Sequence, residues 1–314
     1  MNKLEDKLFK EGLIEGNISK LKKIAKVDVH NHCGLGMRFS TYNKWAGGNV
    51  VPPPKKMDGI AGIDEYIFGE TAKFIKTSED IEFLIESTVL EAIDDGVKIL
   101  EPSIDCHWIT LFKTHQEYFS TILKIKNKYK ELIDFRPEVG FAKCVPTENL
   151  DNFLIPCIDS GLFNSIDLYG DESFDDFEKF KEYYVYAKNK GLKLKAHAGE
   201  FTGPEYVRNA IEVLELDEVQ HGIGASTDDY LLDFIKERDI RLNICPSSNF
   251  ILGAVSDMKS YPIRKLFDKG LNLSINTDDL LLFDSGVSEE FLYLYNHGVL
   301  DADELNEIRK MSLI

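Results

Sequence analysis

The sequence predicts an α/β chain folded as one (β/α)8 TIM barrel with an elaborated loop after its first strand. Three observations lead there. Eight short apolar or β-branched runs recur along the 314 residues, amphipathic stretches separate them, and polar residues able to bind metal or move protons fall at the ends of several runs.

The runs cover 26–32, 97–104, 134–141, 165–168, 192–196, 218–221, 240–245 and 271–276. Strands that alternate with helices pair in parallel, and eight such units are the number that closes into a barrel. Between the runs, 78–95, 114–130, 174–190, 204–215, 227–238 and 261–269 repeat apolar residues every third or fourth position, the spacing of a helix that rests one face on a sheet. In 78–95 these are Ile81, Phe83, Leu84, Thr88, Leu90 and Ile93. Gly191 and Gly270 stand where a helix leaves through left-handed backbone before the next strand.

A single domain over 1–314 accommodates this pattern, with an N-terminal helical segment over 1–25. The segment 34–77 is too long for a plain crossover. It carries Trp45, Gly47-Gly48 and Pro52-Pro53-Pro54, and reads as a lid-like insertion with a short helix or two near 63–75.

Charge narrows the partners. With 54 acidic against 37 basic residues the net charge is -17, which repels phosphate backbones and excludes a nucleic-acid polymer while admitting a small neutral or cationic ligand. The first ten residues hold no apolar signal region and no later stretch approaches about 20 apolar residues, so no membrane association is expected and the cytoplasm is the expected location. Oligomeric state leaves no signature. The five cysteines, Cys33, Cys106, Cys144, Cys157 and Cys245, are odd in number and scattered, so reduced thiols are expected; only Cys33, beside a candidate ligand, has a context for metal binding or oxidation.

The candidate chemistry lies at the carboxyl ends of the strands, where barrels of this kind hold their sites. His30 and His32 end the first run two residues apart, so both point inward and can chelate one ion. His197 ends the fifth, with Glu200 just beyond in the loop, where a carboxylate can shuttle protons to and from a metal-bound water. His221 ends the sixth run, and Asp278-Asp279 follow the eighth. Each alone has a structural explanation: His221 as a hydrogen-bonded core histidine, Asp278-Asp279 as a turn and helix cap. Together they weigh more, because four of the seven histidines occupy strand ends, whereas His107, His115 and His297 do not. Three imidazoles and a carboxylate suit one Zn2+ per chain and leave a position for a water of pKa about 7. Iron, cobalt or manganese would accept the same donors.

The motifs resemble, in order, those of the adenosine and AMP deaminase branch of the amidohydrolase superfamily. They are Val27-Asp28-Val29-His30-Asn31-His32, Asp167-Leu168-Tyr169-Gly170-Asp171-Glu172, His197-Ala198-Gly199-Glu200, His221-Gly222, Cys245-Pro246-Ser247-Ser248-Asn249 and Asn276-Thr277-Asp278-Asp279. The resemblance spans about residues 26 to 280 and itself implies a barrel. It implies that His30, His32, His197 and Asp278 hold zinc and that Glu200 protonates the purine nitrogen beside the attacked carbon. It further implies that His221 and Asp279 orient hydroxide and move its proton, with Asp279 also facing the ring, and that the Gly170 backbone N–H meets the purine.

The expected reaction is therefore zinc-dependent hydrolytic deamination of a 6-aminopurine nucleoside, adenosine or deoxyadenosine, with release of ammonia. Two departures widen the substrate. Adenosine deaminases usually continue the first motif as His-Leu-Asp-Gly, whose aspartate touches the ribose 5′-hydroxyl, and Gly34 stands at that position. Arg38 is faintly similar to the AMP deaminases and offers a phosphate partner. Adenine, an adenine nucleotide or another 6-substituted purine is the alternative. A catalytically silent nucleoside-binding barrel is disfavoured by the intact Glu200, and Cys245-Pro246-Ser247-Ser248 lacks the second cysteine of cytidine-deaminase sites. After Asp279 the chain runs on over 280–314 and ends on Met311-Ser312-Leu313-Ile314 as though within a helix.

Overall fold

Among the described residues, nine parallel strands carry the apolar runs. They are β1 (Lys26–His32), β2 (Val97–Asp105), β3 (Asp134–Phe135), β4 (Glu138–Ala142), β5 (Ser165–Tyr169), β6 (Lys193–Ala198), β7 (Glu218–His221), β8 (Arg241–Ile244) and β9 (Leu273–Ile275). The computed structural model describes residues 3–313; residues 1, 2 and 314, which end the expected 1–25 segment and 1–314 domain, lie outside it. The pairing order is β1-β2-β4-β5-β6-β7-β8-β9, with β3 also on β2. The expected third run divides at Arg136-Pro137 because proline offers no N–H to the ladder. Arg136 N still donates to Leu100 O at 2.8 Å, holding the chain against β2.

The sheet is nearly closed into a barrel, and the seam between β9 and β1 has a different construction. Among the described residues one isolated bridge crosses it, Asn31 to Asp278. Asp278 N donates to His30 O at 2.9 Å, and the Asn276 side chain accepts from Val29 N at 2.9 Å. The Asp28 carboxylate accepts from Thr277 Oγ1 at 2.6 Å, and Asn31 Nδ2 donates to the same hydroxyl at 2.9 Å.

A charged layer fills part of the interior. Lys195 is fully buried, with its ammonium 2.5 Å from Glu101, 3.0 Å from Glu138 and 3.4 Å from Glu218. A buried ammonium among three carboxylates fixes geometry more than it adds stability.

Outside the sheet lie the helices Ser78–Asp94, His115–Tyr129, Thr147–Asp159, Lys181–Asn189, Pro204–Leu214, Asp229–Glu237 and Ile263–Asp268. The first begins with the capping box of Thr77 and Asp80, each side chain bonding the other's backbone N–H. The helix expected from residue 174 starts later, at Lys181, after a 3-10 turn over Glu178–Phe180. Thr147–Asp159 escapes the sequence reading because Pro156 lies inside it. Gly191 and Gly270 have φ of 84° and 74°, the left-handed exits expected of them.

The 34–77 insertion forms helices Phe39–Trp45 and Gly59–Tyr66, followed by a π turn over Ile67–Thr71 and a 3-10 turn over Ala72–Phe74. It is tied to the turn after β8: Met57 N donates to Ile251 O at 3.0 Å, Gly59 N to Leu252 O at 3.1 Å, and the Lys56 ammonium lies 3.3 Å over the Phe250 ring. Two helices, Val287–Asn296 and Ala302–Ser312, follow the last strand, and buried Arg309 reaches from the second to Ala25 O at 3.0 Å and to Asp6 at 2.8 Å. Among the described residues no helix is long and apolar enough to cross a membrane.

Candidate active site

Strand periodicity brings His30 and His32 of β1 to the same inward face, and His197 of β6 meets them across the barrel mouth. Ring centroids lie 5.8 Å apart for His30 and His32, 4.7 Å for His30 and His197, and 5.1 Å for His32 and His197. One ring nitrogen from each falls within 4.8 Å of the others. Asp278 adds a carboxylate, its Oδ1 3.5 Å from His30 Nε2 and 3.3 Å from His32 Nε2. The Nε2 atoms of His30 and His197 are buried with no hydrogen-bond partner. Orphaned buried nitrogens of this kind are costly unless something binds them, and three imidazoles with a carboxylate are the donor set Zn2+ prefers, so the residues fit such an ion.

The other nitrogens are already held. His30 Nδ1 lies 3.1 Å from Asn243 O and 3.2 Å from Cys245 Sγ, which leaves Nε2 facing the pocket. Electrostatics point the same way. Burial pushes His30 down to about 3, so its ring is neutral and free to coordinate. His32, although buried, is raised to about 10 by its hydrogen bond to Asp278 and by the charge of Asp279. The two histidines diverge because the carboxylates favour positive charge beside His32, a demand that a divalent cation meets with release of that proton. Against the penalty of burial, the imidazoles of His30, His32 and His221 hold Asp278 well below the usual carboxylate range.

A proton-transfer group adjoins these donors. Glu200 follows β6 through Gly199, whose φ is 74° and whose Cα lies so near Val207 that a β-carbon would come within 2.3 Å of it. Glycine alone fits there. The Glu172 carboxylate accepts from the backbone N–H groups of Glu200, Phe201 and Thr202 at 3.0, 2.9 and 2.8 Å, fixing the loop. Burial first, then the charges of Asp278 and Glu172, drive the Glu200 carboxyl well above its ordinary range, which favours its protonated form. His221 Nε2 lies 3.4 Å from Glu200 Oε2 and 3.9 Å from Asp278 Oδ2. Burial, with the charge of Asp278 next, raises Asp279 to about 7. Its Oδ1 is buried and unpartnered. Two of these residues have left-handed backbone, His221 at φ 64° and Asp278 at φ 59°, strain that structures tolerate mainly at functional sites.

All the metal and proton-transfer candidates from the sequence thus lie in one pocket. Gly170 follows β5 on the same rim, with φ 101°, and its carbonyl accepts from Lys143 Nζ at 3.2 Å. His107 and His297 have local partners, Asp105 and the Tyr293 carbonyl. Two expectations change. Cys33 is buried and its thiol is pushed up to about 12, which leaves no thiolate for metal binding or oxidation. Arg38 is bound by Asp284 at 2.9 Å and by Glu289, so its charge is already neutralised and offers nothing to a phosphate.

Several neighbours lie beyond the sequence reading. Asp167, inside a quoted motif, brings Oδ2 to 3.6 Å from His197 Nε2. Tyr169 sets its ring 5.3 Å from His32 and donates its hydroxyl to Asp105 Oδ2 at 2.6 Å. The indole of Trp108 covers Gly34, where an added β-carbon would lie 3.0 Å from Cζ2. Asp167 and Tyr169 are signalled in the sequence by the motif that contains them, and Trp108 only by its place just past the end of β2.

The chain is similar to known proteins in sequence and in fold. The profile of the Adenosine deaminase family matches residues 142–313. A Treponema pallidum protein, provisionally named an adenosine/adenine deaminase, is 36% identical over 88% of this chain and 92% of its own length. The crystal structure of an adenine deaminase from Arthrobacter aurescens superposes with a TM-score of 0.80 at 20% identity, over 93% of this chain and 92% of that one. An amidohydrolase of B. ambifaria with bound Zn has a TM-score of 0.77 at 17% identity over 100% and 88% of the two chains. The two structures share the fold; the profile and the Treponema relative go further, and by them this chain belongs to the adenosine deaminase family and is a deaminase.

Proposed function

We propose that the protein is a zinc-dependent aminohydrolase that converts a 6-aminopurine nucleoside, adenosine or deoxyadenosine, to the 6-oxopurine and ammonia. The observation that carries this reading is the meeting, in one buried cluster, of two unpartnered imidazole nitrogens with a carboxyl group whose surroundings favour its protonated form.

His30, His32, His197 and Asp278 would hold the ion. When bound, it supplies the Lewis acidity that makes hydroxide available near neutral pH. Glu200 gives its proton to the ring nitrogen beside C6, which draws electron density away from that carbon. His221 and Asp279 orient the attacking oxygen, and Asp279 also faces the ring. The Gly170 N–H meets the far edge of the purine. Attack at C6 makes the carbon tetrahedral, and the oxygen's proton moves through these side chains to the departing amine, so that water and aminopurine become oxopurine and ammonia. The partner is a small purine, which suits a chain of charge -17 better than any nucleic acid would. Five free cysteines fit the reducing cytoplasm.

A second reading, deamination of free adenine, is favoured by one contact. The resemblance assigns a sugar-binding acid to position 34, whereas a β-carbon at Gly34 would press on the Trp108 indole, 3.0 Å away, which walls that part of the mouth. Steady-state rates on adenosine, deoxyadenosine, adenine, AMP and N6-substituted purines, followed by absorbance and ammonia release, decide between them. Turnover of adenine with none of either nucleoside would replace the first reading by the second; turnover of no purine by zinc-loaded protein would end both.

A further inference from the structure

Asn249 is a fully buried amide, 0% exposed, that the scheme above leaves without a task. It sits on the helix Pro246–Ile251 after β8, held by Asn249 N donating to Cys245 O at 3.0 Å and by Val255 N donating to Asn249 O at 2.9 Å. Its side chain meets three groups. Nδ2 lies 3.1 Å from His221 Nδ1 and 3.4 Å from Glu200 Oε1, and Oδ1 accepts from the Tyr261 hydroxyl at 2.7 Å.

A primary amide has one accepting and one donating end, and its two N–H groups leave the nitrogen in divergent directions. Tyr261 occupies the accepting end. The two N–H groups are therefore left for the imidazole nitrogen and the carboxyl oxygen. Turned the other way, Oδ1 would need protons on both His221 Nδ1 and Glu200 Oε1, and the Tyr261 hydroxyl would have to accept from Nδ2 instead of donating to Oδ1.

We propose that Asn249, oriented by Tyr261, is a positioning residue that fixes the His221 tautomer with its proton on Nε2 and leaves Oε2 of Glu200 as the oxygen that carries the transferable proton. The tautomer follows because a neutral imidazole has a single N–H: with Nδ1 accepting from Asn249, the proton lies on Nε2, the nitrogen facing Glu200 Oε2 and Asp278 Oδ2. The Glu200 assignment follows because Oε1 accepts from Asn249. The use made of this rests on the deaminase scheme above. This narrows the shared role given to the pair above: His221 offers a hydrogen bond to the attacking oxygen, and acceptance of that oxygen's proton falls to Asp279 alone, whose Oδ1 has no other partner.

The test is two-bond 1H–15N correlation on 15N-histidine-labelled, zinc-loaded protein, with the His221 signals assigned by their loss in His221→Gln. Wild type is expected to show a protonated Nε2 and a bare Nδ1. Asn249→Asp, which offers an acceptor where the amide nitrogen stood, is expected to reverse the pattern. Its kcat should fall by about 100-fold or more, the scale of holding a catalytic imidazole in the wrong tautomer, with KM within about twofold. Tyr261→Phe keeps the amide and removes only its orienting hydroxyl, so a smaller fall in kcat at the same KM is expected. Protonated Nδ1 in wild type, or an unchanged tautomer and kcat in folded Asn249→Asp, overturns the proposal. Should Asn249→Asp not fold, Asn249→Ser and Tyr261→Phe give the same readouts. Should wild type deaminate no purine, the reaction scheme fails, and the wild-type spectrum still decides the tautomer.

Discussion

The indole of Trp108 stands over Gly34 so closely that a β-carbon at residue 34 would come within 3.0 Å of Cζ2 and 3.2 Å of Cη2. Trp108 belongs to the turn Cys106–Leu111 that leaves β2, and Gly34 lies two residues past His32, so the contact joins the loops of adjacent strands at the barrel mouth. Trp108→Ala should therefore open the wall without touching any candidate ligand. The ratio of kcat/KM for adenosine to that for adenine is expected to rise by about 10-fold or more, the scale of removing a steric block in a pocket. An unchanged ratio in a folded, active variant would show that the indole does not select the substrate.

Glu200 is the second target. Glu200→Gln keeps the shape and the contact with Asn249 but cannot supply an acidic proton at neutral pH. Turnover should fall by about 100- to 10,000-fold, the range typical of losing a general acid. Zinc content, measured by mass spectrometry, should stay at the wild-type level, because Glu200 is not among the four proposed ligands. Near-normal turnover in the metal-replete variant would remove Glu200 from the role of proton donor.

The carboxyl-end motifs were the readable part of this site. His30, His32, His197, His221, Asp278 and Asp279 announce themselves because strand periodicity and the barrel rim dictate where such side chains point. Asn249, Tyr261, Trp108 and Asp105 do not, since their roles come from contacts between loops distant in sequence, which no local pattern encodes. The fold divides the same way. β1 and β7 begin and end where hydrophobic runs predict, whereas the β3–β4 break and the helix Thr147–Asp159 turn on single prolines, Pro137 and Pro156, whose effect depends on tertiary context.

Metal binding should also appear as stability. A ligand that binds only the folded chain stabilises it by about 2.7 kcal/mol at a free concentration 100 times its Kd. Chelator-treated protein is therefore expected to melt several degrees lower than protein supplied with zinc, and His30→Ala or His197→Ala should abolish the difference. A zinc-dependent rise in Tm that survives both substitutions would place the ion elsewhere.

Glu290 offers a test by pH away from the proposed metal site. It is fully buried, and Oε2 accepts from Ser247 N at 2.9 Å. Burial raises its folded pKa to about 8, against about 4.3 for an unfolded glutamate. The folded state therefore holds a proton that the unfolded chain gives up first. Its stabilising share is complete below about pH 4 and is lost as pH climbs towards 8. Glu290→Gln, which cannot ionise, should flatten this decline, gaining about 1 kcal/mol or more on wild type between pH 5 and pH 8 in denaturant melts. Parallel pH profiles for the two proteins would rule out Glu290 as the source.

Asp278 bridges the first and last strands of the barrel and also faces His30 and His32. The seam it completes joins groups as distant as Asp28 and Thr277, 249 residues apart. Contacts of that separation are slow to form, so the coordinating group comes into being only when the two ends of the barrel have found each other. A partly folded chain has histidines but no cage. Loading with the proposed ion would then report that folding is finished, and any lesion that keeps the seam open would register both as a protein that will not stay folded and as one that cannot hold that ion.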